Sequence, residues 1–429
     1  MTGFAAHVRQ RPRARRAVAR AVAAVAMLSR LPRRCSPAAI ILAGVQRDPA
    51  ATSPPPARWR AAAATLALAL LAASCAGRRP PAQAPAGAEP RAARPYLVAH
   101  AEIRTGARAF GQVIGGLSGL AYDPAADHFL AVADDPRKSP PTRLLRFRWQ
   151  PPAAPEPLGW LTLTDGGEPL PPRGADLEGL ALLPDGGLLV SSEGDVGAGI
   201  GPWVGRFDRD GELIERLPVP AHFTPGPESG PPVNAGFEAL AVDAAAGVVV
   251  AGTEGELRQD ARPGLPRLPR RSRLLIWDLA GFDASGDASG DAGGAPREWL
   301  YPLDEPHARS PLPGGLRVSG LVDLLPEEGG TLLALERSFV AGMGFSLRLH
   351  RLDLSGATEV TGKAPAPGGA FTGRKRLLAD LGRLGVPLDN YEGMAWGPVG
   401  PDGARLLVVI ADNNFSENQD THLVALSWR

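Results

Sequence analysis

A short plan recurs five times along this chain and constrains its fold more than any single motif. The five segments are GLSGLAYDPAADHFLAVADD (116–135), DLEGLALLPDGGLLVSSEGD (176–195), GFEALAVDAAAGVVVAGTEG (236–255), VSGLVDLLPEEGGTLLALER (318–337) and DNYEGMAWGPVGPDGARLLVVIADNNF (389–415). In each, an anchor (Ser118, Glu178, Glu238, Ser319 or Glu392) precedes Gly or Ala and then Leu or Met, a turn follows, and a β-rich run ends in polar residues. The anchors are 60, 60, 81 and 73 residues apart. Such a period means one supersecondary unit per repeat, stacked to bury a face that none can bury alone.

Further strand-like runs follow the hairpins, such as Thr142–Trp149 with Pro157–Leu163 and Arg273–Leu279 with Arg297–Tyr301. Four strands per repeat is the blade of a β-propeller. The expected fold is therefore all-β, a propeller of five to six four-stranded blades, with the 52 Gly and 45 Pro serving its many tight turns. An open ring would expose strand edges, so Tyr96–Ile103 and Thr421–Trp428 are expected to complete one blade between them. The longer third and fourth periods hold two insertions. Ala284–Pro296 is low in complexity and reads as a solvent loop; Asp283, Asp287 and Asp291 beside and within it miss the spacing of a calcium loop. Gln259–Arg273, with Arg262, Arg267, Arg270, Arg271 and Arg273, reads as a basic loop, either simply solvated or an anion-attracting arm.

The first 75 residues differ from the rest: twelve Arg, no Lys and one acid, Asp48. Without them the chain has 34 Lys and Arg against 44 Asp and Glu, an acidic balance that argues against a nucleic-acid partner. Arg58-Trp59-Arg60, the apolar run Ala61–Ala73 and then Ser74-Cys75 have the layout of a secretion signal. The LAASC ending resembles a bacterial lipobox, with Ala72 where that motif prefers Leu. The expectation is export, either as an envelope lipoprotein lipidated at Cys75 and so anchored to the membrane, or as a released protein. Residues 76–95 read as a flexible Ala/Pro-rich tether and 96–429 as the propeller domain, which then holds no thiol.

In a propeller blade the innermost strand pairs antiparallel with the second, so the start of one lies beside the end of the other. That puts Ser118 near Asp134 and Asp135, Glu178 near Glu193 and Asp195, Glu238 near Glu254, Ser319 near Glu336 and Arg337, and Glu392 near Asp412, Asn413 and Asn414. A ring of acids with one arginine opposing it repels itself unless cations, protons or waters intervene. Two readings stay open here: a divalent cation site, with calcium favoured by the hard oxygen donors, or acids that cap strand ends in a wet channel. Other constellations are weak. The seven His are scattered, GLSGL around Ser118 is no nucleophile elbow, and GAGIGPWVG (197–205) opens no helix.

LEGLALLPDG, NAGFEALAVD, GTEGEL, YPLD (301–304), LALERSF (333–339) and DNYEGMAWGP with ADNNF together resemble the phytase-like domain family, the esterase-like activity of phytase family, over nearly all of 96–429. The resemblance implies an exported β-propeller and a metal-assisted hydrolase of phosphoesters or simple esters acting on a small molecule; a monomer is expected. It implies bound Ca²⁺, with Glu178, Glu193, Glu254, Asp134 and Asp135 as ligands, and Glu336, Glu392 and Asp412 as further ligands or general bases. Arg337 would then pair with phosphate, while Asn413 and Asn414 orient the substrate. The predicted face is short of Lys and Arg for a highly phosphorylated substrate, and metal ions would have to supply that charge. A non-enzymatic envelope propeller that binds a ligand or protein is the alternative.

Overall fold

The computed structural model describes residues 95–134, 142–171, 174–261, 270–282, 294–360, 362, 370, 372–400 and 403–429. The segments expected to be a leader and a tether, up to residue 94 and including Cys75, together with Asp135, Arg262, Arg267, Asp283, Asp287 and Asp291, lie outside these. Among the described residues, no helix is long and apolar enough to cross a membrane.

Five antiparallel four-stranded sheets form a propeller of five blades. From the inner strand outward, blade 1 is Leu117–Asp123, His128–Ala133, Arg143–Arg148 and Glu156–Thr162. Blade 2 is Leu177–Leu182, Leu188–Ser192, Trp203–Phe207 and Leu213–Arg216. Blade 3 is Phe237–Asp243, Val248–Thr253, Arg271–Asp278 and Arg297–Pro302. Blade 4 is Arg317–Glu327, Thr331–Val340, Gly344–Asp353 and Arg374–Asp380. Blade 5 is Tyr391–Val399, Arg405–Ala411, Thr421–Trp428 and, closing the ring, Tyr96–Ile103.

The apolar core lies between the blades. Each of the five seams has its own cluster: Leu117, Phe129, Val408 and Leu423 between blades 5 and 1, for example, and Leu333, Leu347, Tyr391 and Leu407 between blades 4 and 5. Alternation along each strand delivers this, because both faces of a blade meet a neighbouring blade. Tryptophans pin two seams: Trp277 Nε1 donates to Pro218 O at 2.9 Å and Trp396 Nε1 to Pro326 O at 2.7 Å. At the closing strand, His100 Nε2 lies 2.9 Å from His422 Nδ1.

Every inner strand carries a β-bulge. In blades 3 and 5 the register passes from Phe237↔Thr253 to Ala239↔Gly252 and from Tyr391↔Ala411 to Gly393↔Ile410, leaving Glu238 and Glu392 unpaired. Ser118 and Glu178 sit at the same break in blades 1 and 2. Blade 4 departs from the sequence alignment: Leu321 pairs with Glu336 and Asp323 with Leu335, so the bulged residue is Val322 and not Ser319. A bulge re-aims its residue toward the channel. It also brings the next residue against the neighbouring blade, where a methyl on Gly119 would overlap the Glu178 carbonyl and one on Gly393 the Ser118 carbonyl.

The basic insertion is only partly a loop. Arg271 and Arg273 belong to the third strand of blade 3, and Arg273 is buried with its guanidinium 2.6 Å from Glu298 and 2.7 Å from Asp260. The strand expected from Arg273 thus begins two residues earlier, and the neighbouring Ser272 and Leu274 are both fully buried.

Gly393→Ala is expected to destabilise the protein by about 1–3 kcal/mol through this main-chain clash. Gly294→Ala, at a glycine with open space around it, should leave the urea midpoint nearly unchanged. Equal midpoints for the two variants would remove the close-packing account.

Candidate functional site

The bulges generate equivalent positions around one channel mouth. The bulged residues are Ser118, Glu178, Glu238, Val322 and Glu392. Just past the partner of the preceding residue come Asp134, Glu193, Glu254, Arg337 and Asp412. Four of these donate their main-chain N–H to a carbonyl at the start of the inner strand: Asp134 to Gly116 at 2.7 Å, Glu193 to Asp176 at 2.9 Å, Glu254 to Gly236 at 2.8 Å and Asp412 to Asn390 at 2.9 Å. Eight carboxylates, from Asp134, Asp176, Glu178, Glu193, Glu238, Glu254, Glu392 and Asp412, thus converge with Arg337. In blade 4 an arginine stands where each other blade has an acid.

Two tight triads stand out, Asp134–Asp176–Glu178 and Glu193–Glu238–Glu254, each with carboxylate oxygens within 4.8 Å of one another. Arg337 bridges the second triad, through Glu254 and Glu238, to Glu392 of blade 5. Its Nη2 is 2.9 Å from Glu254 Oε1, and its Nη1 donates to Asn390 Oδ1 at 2.6 Å and to Glu392 Oε1. Asn390 Nδ2 adds a 2.8 Å bond to Glu392. Glu193 Oε1 takes the Gly236 N–H at 2.7 Å, which ties blade 2 to blade 3. Glu238 Oε2 is buried and takes no hydrogen bond from the described residues.

Burial and mutual repulsion raise these acids. Asp134 is pushed up to about 9, by burial first and then by Asp176. Glu193 reaches about 8 through burial and Glu254, and Asp412 about 8 through burial and Glu392. Glu178 and Glu238 lie well above the carboxylate range for the same reasons. Burial also raises Glu392, but Arg337 opposes it. For Arg337, burial favours the neutral form, yet Glu392, Glu238 and Glu254 hold it charged.

Beneath the mouth the channel changes character. Leu120, Leu180, Leu240, Leu324 and Met394 line a cavity of about 370 Å³ that continues along the inner strands away from the acids. Asp323 lies at the boundary, buried, with Oδ2 accepting the Met394 N–H at 2.6 Å and Oδ1 its neighbour Leu324 N–H at 2.8 Å. It fills the place that Gly or Ala holds in the other blades and stitches blade 4 to blade 5.

Of the site residues expected from sequence, Asp134, Glu178, Glu193, Glu254, Arg337, Glu392 and Asp412 come together, and Asp135 lies outside the described residues. Glu336 does not join them. It neighbours Arg337 on one strand, so the two point to opposite faces. Glu336 bonds Tyr301 Oη at 2.7 Å and Lys375 Nζ, in a separate cluster with Asp304 and His350 where the lysine ammonium already supplies the cation. Asn413 is a staple: its Oδ1 takes the Gly116 N–H at 3.0 Å and the Phe415 N–H at 3.1 Å, fastening blade 5 to blade 1. Asn414 is an exposed turn residue with φ of 50°. Asp176 and Asp323 were not singled out from sequence. Asp176 was visible two residues ahead of Glu178, at the place of Asn390 ahead of Glu392.

The family described as "Phytase-like: Esterase-like activity of phytase" matches residues 112–415. No curated protein matches the chain in sequence. Among solved structures it is similar to an α-L-arabinanase of Penicillium chrysogenum, complexed with arabinobiose (10% identity, 79% of this chain and 99% of that one, TM-score 0.38). It is also similar to a protein described as an oxidoreductase (glucose dehydrogenase) of Thermus thermophilus (14%, 78% and 97%, 0.35) and to the tail fibre of Staphylococcus aureus phage P68 (12%, 78% and 52%, 0.36). At these TM-scores the likenesses carry no argument about activity.

Raised carboxyl pKa values fix the sign of a pH dependence. From the ordinary range near 4 up to about 8, the unfolded chain has released protons that the folded mouth still holds, so stability falls as pH rises. With chelator present, the urea midpoint is expected to be higher at pH 5 than at pH 8.5, and Glu238→Gln to flatten the difference. A midpoint that rises over this interval would contradict the electrostatics of the mouth.

Proposed function

Since the chain belongs to the phytase-like family, we propose that it is a hydrolase of phosphoesters that works with a divalent cation, calcium, at the acidic mouth. The observation that carries this reading is the gathering of eight carboxylates at one mouth, of which three, Glu238, Glu254 and Glu392, meet a single arginine. The donors are all carboxylate oxygens, the hard ligands that suit calcium, and the buried Glu238 Oε2, without a hydrogen bond, is one such donor atom. The two triads, Asp134–Asp176–Glu178 and Glu193–Glu238–Glu254, are the residues that would hold cations. A bound cation would neutralise phosphoryl charge and acidify a water.

The remaining groups then divide the work. Asp412, with a pKa of about 8 and its carboxylate taking the Asn414 N–H, carries the proton. In the overall reaction the water oxygen bonds to phosphorus and the P–O bond to the alcohol breaks. The proton taken from water by Asp412 ends on the departing alcohol oxygen. Arg337 holds Glu254 and Glu392 in place, so the positive charge facing the phosphoryl group would come from the bound cation. The same reading has the protein exported, tethered through Cys75 and monomeric.

Calcium-dependent release of phosphate from 4-nitrophenyl phosphate, abolished by chelator, is the expected result. Glu238→Gln and Asp412→Asn should each lower kcat at least about a hundredfold, within the range assigned to general acid–base catalysis. Chelator-insensitive hydrolysis would sink the cation mechanism. Tight calcium binding without turnover of phosphate or carboxyl esters would favour a binding propeller, a reading to which the internal pairing of Arg337 lends weight.

A further inference from the structure

At the mouth the paired strands of blade 4 run further than those of the other blades. Inner strands elsewhere begin one residue before the bulge, at Leu117, Leu177, Phe237 and Tyr391, but that of blade 4 begins at Arg317, five residues before Val322. Its second and third strands continue with it, Arg337–Val340 pairing with both Arg317–Gly320 and Gly344–Leu347. At about 3.3 Å per residue, four extra residues make a projection of roughly 13 Å beside the acids.

The register decides what this projection presents. Gly320, Arg337 and Leu347 form one cross-strand row, and Val318, Phe339 and Phe345 form the next row outward on the same face. Residues opposite one another, or two apart on a strand, share a face. Val318, Phe339 and Phe345 therefore stand on the face of Arg337, one step further out. Lower on that face Leu333, Leu335 and Leu347 are buried against blade 5. Above it the packing runs out: Val318 is 38% exposed, Phe339 and Phe345 are half-buried with ring centroids 5.0 Å apart, and Leu316 (59%) and Met343 (56%) are exposed at the adjoining turns.

Among the described residues most cations of this sector are engaged by acids or hydroxyls, while Arg317, at the head of the projection, is exposed and donates its Nε–H to the Ala308 carbonyl. Arg337 is held by Glu254 and Glu392, Arg270 by Ser319, Arg348 by Asp304, and Lys375 by Glu336 and Asp304. A substrate with many phosphates would meet carboxylates and an apolar wall. A single ester group attached to an apolar residue would meet the mouth at one end and the wall at the other.

We propose that the ester cleaved at the mouth carries an apolar alkyl or aryl group, which lies on the shelf of Val318, Phe339 and Phe345. This rests on the hydrolase reading and specifies its substrate class. The bond changes are those given above, with the apolar alcohol as the leaving group.

The test measures phosphate release by the purified protein, with calcium, from ethyl, hexyl and decyl phosphate and from inositol hexakisphosphate. Decyl phosphate is supplied both as monomer and in phosphatidylcholine vesicles. kcat/KM is expected to rise at least about tenfold from ethyl to hexyl phosphate, chiefly through KM, as burying a few methylenes on an apolar surface allows. Phe339→Ser and the milder Val318→Ser should bring the hexyl-to-ethyl ratio toward one, whereas Ile214→Ser, at an exposed residue of blade 2, should keep it. Preference for the vesicle form would identify a lipid source and preference for monomer a soluble one; both support an apolar group. Equal rates for ethyl and hexyl phosphate, or preference for inositol hexakisphosphate, would overturn the inference and leave the hydrolase reading standing. Absence of turnover on every ester would overturn both.

Discussion

Neighbouring inner strands meet main chain to main chain, and the bulge makes that possible. The glycine after the bulge, Gly119, Gly179 or Gly393, lies against the carbonyl of the next blade's bulged residue, with no room for a side chain. The same distortion turns the bulged residue into the channel. Ring closure and site construction are thus linked: three of the five bulged residues are glutamates delivered to the mouth, whereas Val322 of blade 4 packs into the apolar seam with blade 5. An acid there has no alternative surface to which it can turn.

Gathering so many like charges in a buried mouth is costly, and the protein offsets the cost in local ways. Main-chain N–H groups reach Glu193 and Asp412, Asn390 reaches Glu392, and a single guanidinium spans Glu254 and Glu392. Among the described residues, the acids with no cation beside them are chiefly those of the first triad, Asp134, Asp176 and Glu178, on blades 1 and 2. The mouth is therefore asymmetric although the blades are repeats. One side is built to take positive charge from outside, and the other has its positive charge built in.

Much of this was legible in the sequence, because hairpin spacing and alternation report directly on strand packing. The anchors Glu178, Glu238 and Glu392, their partners Glu193, Glu254 and Asp412, and the closure by Tyr96–Ile103 all followed from the repeat. Blade 4 was misaligned for a physical reason. Ser319-Gly320-Leu321 imitates Ser118-Gly119-Leu120 residue for residue, and only the pairing of Asp323 with Leu335 shows that the true bulge comes three residues later. With the correct register Arg337 replaces an acid, Asp323 replaces a glycine, and Glu336 turns away toward Lys375. Asn413 suggested a ligand-binding amide, but its two main-chain bonds are local to the seam and cannot be read from composition. The blade 4 projection was hidden too, since strand length depends on where pairing stops.

The closing strand has one more consequence. His100 and His422, hydrogen-bonded across it, are 322 residues apart in sequence, so the fifth blade contains both the first and the last strands of the domain. Four blades can form in the order in which the chain emerges, yet the circle stays incomplete until the final residues are free to pair. Contacts of this span slow folding, because loop-closure entropy is lost before the contact rewards it. The fifth blade is therefore the one whose pairing carries the largest loop-closure cost in the ring.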